Sequence, residues 1–497
     1  MSAPRSNART PLDRGASAPL DGALLALLAL AVVGWLAPRV AGFTTDSDAY
    51  IDVAMSLRAG TGLVQSVVDF WRPGVPDPLG LWPPLYPLLV AVVAAFGVPL
   101  ELAARFVGAG SFAVFASAFH ALAVTALGRG GGALATVAAL ATLSVTRLGA
   151  FAWSEATYLA LTTIGLATLA RAGSAGGWTR GRAFVAGVAF GLAAVTRYAG
   201  VPVALAAVAY VALRPALRGD GGRGLRSFAL QALALPGVGI ARNLLLFGRP
   251  FGPALPPAEH GIAIQAFELA RALRWELLPA PFDRIEVLTI ALAAATVGGV
   301  ALALRAGGTG RLAAGFALAY AALVVVATST SAINAPTGRY LAPVLPFLVL
   351  AAFAGWRGRS AADQADAGGR RALATGLSAV WTIAVVLELL GQGQAMRAPT
   401  PEILARRNDV RALMRLVPAG TTPVLSDCGH LVRTATGRAA VQIPAAGYRP
   451  RDYTAADDAR WARAGVNEAV FAAGEPPAGG WERIAVEGRF TWWVRSR

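Results

Sequence analysis

The sequence predicts an all-α polytopic membrane protein of about eleven transmembrane helices, closed by a small extracytoplasmic α/β domain at its C-terminus. Three observations carry that expectation. The 497 residues are 56% hydrophobic and only 14% charged. Apolar residues gather in blocks such as Ala23 to Leu36 and Ile290 to Leu304, which are apolar nearly all round and so suit lipid rather than a two-faced soluble helix. From Pro401 onward the composition becomes that of ordinary globular sequence.

A bilayer core takes roughly 20 apolar residues per helix, and shorter helices are tolerated inside a bundle. The predicted spans are Leu20 to Ala41, Ala103 to Leu127, Gly132 to Leu148, Ala156 to Ala170, Arg182 to Thr196, Gly200 to Leu213, Phe228 to Phe247, Ile285 to Leu304, Leu312 to Ala327, Tyr340 to Trp356 and Ala372 to Leu390. Arg5, Arg9 and Arg14 precede the first block, which is long for a signal peptide, so residues 1–19 read as a cytoplasmic tail before an uncleaved span. The transmembrane region then covers residues 20–392 and the soluble domain residues 393–497.

Arginines set the sidedness. The segments around Arg129, Arg171 to Arg182, Arg214 to Arg226, Arg305 to Arg311 and Arg357 to Arg371 all fall on the cytoplasmic side if the short block Leu85 to Phe96, after Pro83 and Pro84, does not cross. That block reads as an interfacial or re-entrant helix at the outer face. Outside lie residues 42–101, 149–155, 248–284 and 328–339, the turn at Arg197, and the C-terminal domain. A net charge of +16 is thereby explained by the positive-inside rule, and no nucleic-acid partner is expected. The single cysteine, Cys428, excludes an internal disulfide and a cysteine-based metal site.

In the C-terminal domain, Ile403 to Leu416 has helical periodicity, while Thr422 to Leu425, Val441 to Ile443, Ala469 to Phe471 and Thr491 to Val494 read as short strands. Asp427, Cys428 and His430 lack a partner serine motif or metal spacing, and read as a strand-end loop.

Polar residues within the apolar zones discriminate between an enzyme, a transporter and an assembly subunit. The spans are mostly Ala, Leu and Val. Glu286 and Glu388 lie near outer ends, and His120 is deeper but alone. The remaining polar residues collect at the outer boundary. After the first span comes Thr45-Asp46-Ser47-Asp48-Ala49-Tyr50, in which Tyr50, Val53, Ala54 and Leu57 share a helix face expected against the membrane. Asp46 or Ser47 there is either a helix cap or part of a site. Ser154-Glu155 likewise starts a span, as cap or as second carboxylate. Arg197-Tyr198, Arg242-Asn243 and Arg339-Tyr340 stand at the same level, as snorkelling anchors or as anion contacts. Outer-face arginines run against the positive-inside trend, which favours an anionic partner such as a lipid phosphate.

At these residues the chain resembles the GT-C membrane glycosyltransferases, in the bacterial branch near protein O-mannosyltransferases and aminoarabinose transferases. The markers are Asp46-Ser47 with Tyr50 and Ala54, Gly60-Thr61-Gly62-Leu63, Trp82-Pro83-Pro84-Leu85-Tyr86-Pro87, Arg105, Ser154-Glu155, Thr196-Arg197-Tyr198, Arg242-Asn243, and Gly338-Arg339-Tyr340 with Pro343 and Pro346. The resemblance implies transfer of a sugar from a polyprenyl-phosphate donor to a glycan, lipid or protein acceptor outside the cytoplasm, usually with inversion, in the cell inner membrane. It implies Asp46 as general base or acceptor-positioning acid, Asp48 as the lesser choice, and Glu155 as second acid. Arg197, Arg242 and Arg339 are the implied phosphate contacts, with Tyr50, Arg105, Tyr198, Asn243 and Tyr340 also implied in substrate binding. Where aminoarabinose transferases carry a basic residue before the Pro-Pro pair, this chain has Trp82, which argues against a lipid A acceptor and for stacking on a sugar or lipid. The outer acids would either hold a divalent ion or leave the phosphate to arginine alone. The rival reading is a transporter or flippase of lipid-linked glycans, which calls for essential polar residues at mid-membrane.

Overall fold

The computed structural model describes residues 18–495 apart from 40–41, 70–76, 175–176, 219–221, 254, 256, 278–285, 332–337, 363–366, 396–400, 444–454, 465, 473–475 and 477–479. The chain runs through α1 (Ala18–Leu36), α2 (Thr45–Arg58), strands β1 (Val64–Gln65), β2 (Val67–Asp69) and β3 (Asp77–Pro78), α3 (Leu85–Ala95), α4 (Leu100–Ala141), α5 (Leu143–Ala150) and α6 (Ser154–Ser174). It continues through α7 (Arg180–Ala194), α8 (Gly200–Ala212), α9 (Pro215–Arg218), α10 (Arg223–Phe247), α11 (Ile262–Leu277), α12 (Glu286–Ala306) and α13 (Gly308–Thr330). Then come α14 (Gly338–Leu341), α15 (Leu345–Ala362) and α16 (Ala367–Ala395). The C-terminal part adds α17 (Pro401–Leu416), β4 (Val424–Ser426), α18 (Gly429–Thr436), β5 (Ala440–Gln442), α19 (Ala455–Arg463), β6 (Glu468–Phe471), β7 (Trp481–Glu487) and β8 (Phe490–Arg495).

Among the described residues, four helices are long and apolar enough to cross a membrane: Leu100–Ala141, Arg223–Phe247, Gly308–Thr330 and Thr375–Gln392. Shorter apolar helices, Leu20–Leu36, Leu85–Ala95, Gly200–Ala212, Ala293–Ala306 and Leu345–Arg357, accompany them. The difference from eleven predicted spans has a compositional reason. The α6 helix carries Thr157, Thr162 and Thr163 buried in the bundle, and α7 has only 15 residues, so neither is apolar over a full bilayer thickness. Leu230, Val238 and Leu245 on α10, Val297 on α12, and Val380, Ile383 and Leu387 on α16 all point outward uncovered. An apolar exterior of that extent belongs in lipid, so the protein is membrane-embedded.

Aromatic packing forms the bundle centre. Phe112, Phe115 and Phe119 follow one another along α4, and Phe347 of α15 meets Phe119 edge-on with ring centroids 5.8 Å apart. Helices α12 and α15 approach backbone to backbone at Gly299 and Gly355, where any Cβ at 355 would collide with the Gly299 carbonyl. The two predicted spans Ala103 to Leu127 and Gly132 to Leu148 form one element, α4, broken at Gly128 with φ of 70°, and it ends at Ala141 with α5 taking up the remainder. The short helix α3 buries Tyr86, Val90 and Ala94 and exposes Leu88, Val92 and Phe96, apolar on both faces.

The C-terminal α/β unit contains a six-stranded sheet in the order β2-β5-β4-β6-β8-β7, parallel from β2 to β6 and antiparallel beyond. Its edge strand β2 comes from the segment between α2 and α3, with Val67, Val68 and Asp69 opposite Ala440, Val441 and Gln442. The sheet is therefore composite. Strand β7 had no signal in the sequence, because Ile484 and Val486 lie on an exposed edge and give no buried alternation.

Buried ion pairs seat the C-terminal unit on α2. The Arg433 Nε donates to Asp52 Oδ1 at 2.9 Å, while Asp52 Oδ2 accepts the backbone N–H groups of Ser66 and Val67 at 2.7 and 3.1 Å. One carboxylate thus ties α2, β2 and α18 together. Arg406 of α17 binds Asp48 through two nitrogens at 3.1 and 2.5 Å and reaches Glu101 at 3.3 Å. Arg433→Ala leaves the fully buried Asp52 without its cation, at a cost of about 3 kcal/mol. Limited proteolysis of the membrane-embedded variant is expected to release a C-terminal fragment faster than from the wild type; unchanged cleavage would count against this pairing as the seat.

Candidate active site

The site is assembled around the start of α6. Gly108 on α4 lets the turn before α6 lie close, since a Cβ there would stand 2.9 Å from the Phe151 carbonyl oxygen. The Ala152 N–H donates to the Gly42 carbonyl at 2.8 Å, fixing that turn to the chain entering α2. The Trp153 indole N–H donates to Thr44 Oγ1 at 3.0 Å, and the Tyr50 hydroxyl lies 3.0 Å from Ser154 Oγ. Together these contacts set α2 against α6.

Glu155 falls in the first turn of α6, 1% exposed, and its Oε1 pairs with two arginines. Arg197, from the α7–α8 turn, pairs with it through NH1 at 2.8 Å, and Arg339 of α14 donates a hydrogen bond to it at 2.6 Å through Nε. Arg339 NH2 reaches Asp46 Oδ2 at 2.7 Å, and its guanidinium lies over the Trp153 ring, 4.4 Å from the centroid. Burial works against the Arg339 charge, but Glu155 and Asp46 outweigh it and hold its pKa above the ordinary value. Burial, reinforced by Asp46 and Glu155, pushes the Tyr50 phenol up, so it stays protonated. Gly338, just before Arg339, is fixed by close approach: a Cβ would collide with the Glu276 carboxylate of α11, itself bonded to Ser144.

Asp46, Tyr50, Glu155, Arg197 and Arg339 are thus brought together, with Tyr340 beside Arg339 on α14. Tyr198, Arg242 and Asn243 form a second group that holds the outer segment. The Tyr198 hydroxyl donates to the Gly80 carbonyl at 2.7 Å, Arg242 NH1 to the Leu79 carbonyl at 2.6 Å, and Asn243 Nδ2 to the Tyr198 hydroxyl at 2.9 Å. Trp82 joins both groups, since it lines a crevice with Tyr198, Arg242 and Asn243 and packs edge-on against Tyr50 at 6.0 Å.

Several expectations change here. Asp48 is engaged by Arg406 and faces the C-terminal unit, and Arg105 donates to the Ala37 carbonyl at 3.2 Å with Glu101, Arg406 and Arg407 as its charged neighbours. The face of Tyr50, Val53 and Ala54 lies within the protein, against α3 and α4, rather than against lipid. The cap of α2 is Thr44, whose N–H donates to Ser47 Oγ at 3.0 Å, which leaves Asp46 free of a capping duty. Cys428 precedes α18 next to Ser426, and burial pushes its thiol up to about 12.

His430 sits on α18, with its ring 6.4 Å from Trp82 and edge-on. A lone histidine in a globular tail carries no spacing signal, which is why the sequence placed it in a loop. Burial lowers its pKa below the ordinary value, with Asp52, Asp48 and Asp46 opposing. The folded ring takes up a proton less readily than an unfolded imidazole at about 6.5, so its share of stability is present above that pH and lost below it. The thermal midpoint of the wild type is expected to fall more between about pH 7 and about pH 5 than that of His430→Asn. Parallel pH profiles would remove His430 as the cause.

The donor set does not fit a divalent ion. Asp46 and Glu155 are already bridged by the Arg339 cation, and among the described residues no three His, Cys, Asp or Glu side chains converge.

No protein-family model matches the sequence, and no curated protein sequence is detectably similar to it. Solved structures are similar in fold. ArnT from Cupriavidus metallidurans bound to undecaprenyl phosphate aligns with a TM-score of 0.59 at 14% identity, over 97% of this chain and 98% of that one. The Archaeoglobus fulgidus oligosaccharyltransferase in complex with Zn and sulfate aligns with a TM-score of 0.55 at 14% identity, over 90% and 67%. The same organism's AglB with an inhibitory peptide and a dolichol-phosphate gives 0.54 at 12% identity, over 90% and 69%.

The chain shares the overall fold of ArnT and of the archaeal oligosaccharyltransferase. The alignment with ArnT takes in the C-terminal unit as well as the bundle, so the likeness of fold covers nearly the whole chain.

Proposed function

We propose that this protein is an inverting glycosyltransferase of the cell inner membrane, taking a sugar from a polyprenyl-phosphate donor. The carrying observation is the Arg339 guanidinium, bonded at once to a buried Glu155 and a half-exposed Asp46. Glu155 holds Arg339 and Arg197 in place as a cationic cradle. An arriving donor phosphate competes with Asp46 for the outer edge of that cradle and frees the Asp46 carboxylate. The acceptor hydroxyl then attacks C1 of the sugar, the C1–O bond to phosphate breaks, Asp46 takes the hydroxyl proton, and polyprenyl phosphate leaves as an anion on Arg197 and Arg339. ArnT was solved with undecaprenyl phosphate and AglB with dolichol-phosphate, which supports a lipid-phosphate donor here. In this reading the N-terminus is cytoplasmic, the site and C-terminal unit are extracytoplasmic, and the donor and acceptor meet at the outer face.

The rival, a flippase, calls for charged residues at mid-membrane. The charges of the cluster stand instead at helix ends and turns: Glu155 opens α6, Arg197 lies between α7 and α8, and Arg339 is in α14. Purified protein incubated with radiolabelled polyprenyl-phosphate hexoses and pentoses is expected to transfer or slowly hydrolyse one of them. Movement of a lipid-linked glycan across vesicles with no cleavage of any donor would put the flippase first.

A further inference from the structure

Two carboxylates orient the Arg339 guanidinium, Glu155 at Nε over 2.6 Å and Asp46 at NH2 over 2.7 Å. If a donor phosphate takes the place of Asp46, Glu155 is left holding the group through one nitrogen. A single hydrogen bond leaves a planar fork free to swing, whereas two fix its plane. The remaining contact able to fix that plane is the Trp153 ring, whose centroid lies 4.4 Å from the guanidinium carbon.

Trp153 is itself held on several sides. It is 7% exposed, and its ring stacks on Phe151 with centroids 4.2 Å apart and planes 26° from parallel. The indole N–H donates to Thr44 Oγ1 at 3.0 Å, and Thr44 stands at the start of α2, two positions before Asp46. A tryptophan where a span enters lipid ordinarily anchors the headgroup interface. Trp153 is too deeply buried for that duty, and its two polar contacts are to the phosphate-binding arginine and to the chain that carries the base.

On the reading of Arg339 as a donor-phosphate contact, we propose that Trp153 is a positioning residue with two separable duties. Its face keeps the plane of Arg339 fixed while the phosphate replaces Asp46, and its N–H holds the start of α2 so that Asp46 meets the acceptor hydroxyl. Indole suits both: among aromatic side chains it attracts a cation best, and it carries an N–H donor at its edge. The turn that delivers the buried Glu155 anion thus delivers, two residues earlier, the platform for the cation that Glu155 binds.

The test uses the full-length protein in detergent. Undecaprenyl phosphate is the probe for the donor side, and single-turnover sugar release at saturating donor reports on the base. Tryptophans carrying one to four ring fluorines, incorporated at position 153 alone, change the ring's size little but drain charge from its face. Affinity for undecaprenyl phosphate is expected to fall stepwise along that series, reaching about tenfold. Trp153→Phe keeps a ring and loses the N–H: affinity should stay within about threefold of the wild type, while release slows about tenfold. A merely structural role gives a different pattern, with affinity flat along the fluorinated series and both readouts of Trp153→Phe falling in step with the folded fraction. Flat affinity in a protein that binds the probe overturns the platform, and wild-type release by Trp153→Phe overturns the N–H duty. A wild type that binds no undecaprenyl phosphate brings down the donor reading itself, and the platform with it.

Discussion

Asp46→Asn is expected to lower the rate of sugar transfer about 10³-fold while leaving the protein folded, because general-base catalysis is worth roughly 10²- to 10⁴-fold. The asparagine carbonyl still offers an acceptor to Arg339 NH2, which lies 2.7 Å from Asp46 Oδ2, so the cradle keeps its shape and loses only the proton acceptor. Asp46 also carries no cap for α2, since Thr44 and Ser47 do that, and the substitution costs the helix little. Single-turnover release of radiolabelled sugar, beside the thermal midpoint in detergent, separates the two effects. A folded variant with wild-type turnover would remove Asp46 from the base role.

Glu155→Leu has the second large effect, and it falls on stability as well as rate. Glu155 is 1% exposed and is the anion against which both Arg197 and Arg339 are buried. Removing it strands Arg197 in a low-dielectric pocket and leaves Arg339 with Asp46 alone, which costs about 3 to 5 kcal/mol for a broken buried pair. The thermal midpoint should drop well below that of Asp46→Asn, and transfer should be lost because the phosphate no longer meets oriented donors. Glu155→Gln separates the charge from the shape: it should keep more stability than Leu yet remain far below the wild type in turnover. A Leu variant as stable as the wild type would mean that the arginines do not depend on Glu155.

Much of this architecture was legible in the residues. Blocks of Ala, Leu and Val gave most helices to within a few positions, and polar pairs at one level foretold that Asp46, Glu155, Arg197 and Arg339 would meet. The distinction between Asp46 and Asp48 was not legible, because two positions on one short helix differ only by what the distant Arg406 does to the second. Arg242 and Arg197 looked alike in sequence, yet one binds the Leu79 carbonyl and the other a carboxylate, a choice made by the path of the outer segment. Tyr320, its ring tilted against Tyr158 at 5.9 Å and within reach of Arg197, was hidden inside an apolar block. Strand β2 was missed because three residues, Val67 to Asp69, carry no periodicity of their own, and their pairing partner lies far along the chain.

That pairing sets an order on the making of the protein. Val67 leaves the ribosome long before its neighbour Ala440, so the strand waits unpaired while the helices between them are made. Asp52, which receives Arg433 as well as the strand's own N–H groups, is completed in the same late event. A chain cut short of residue 440 is therefore left with β2 unpaired and Asp52 without its cation if Arg433 is missing too.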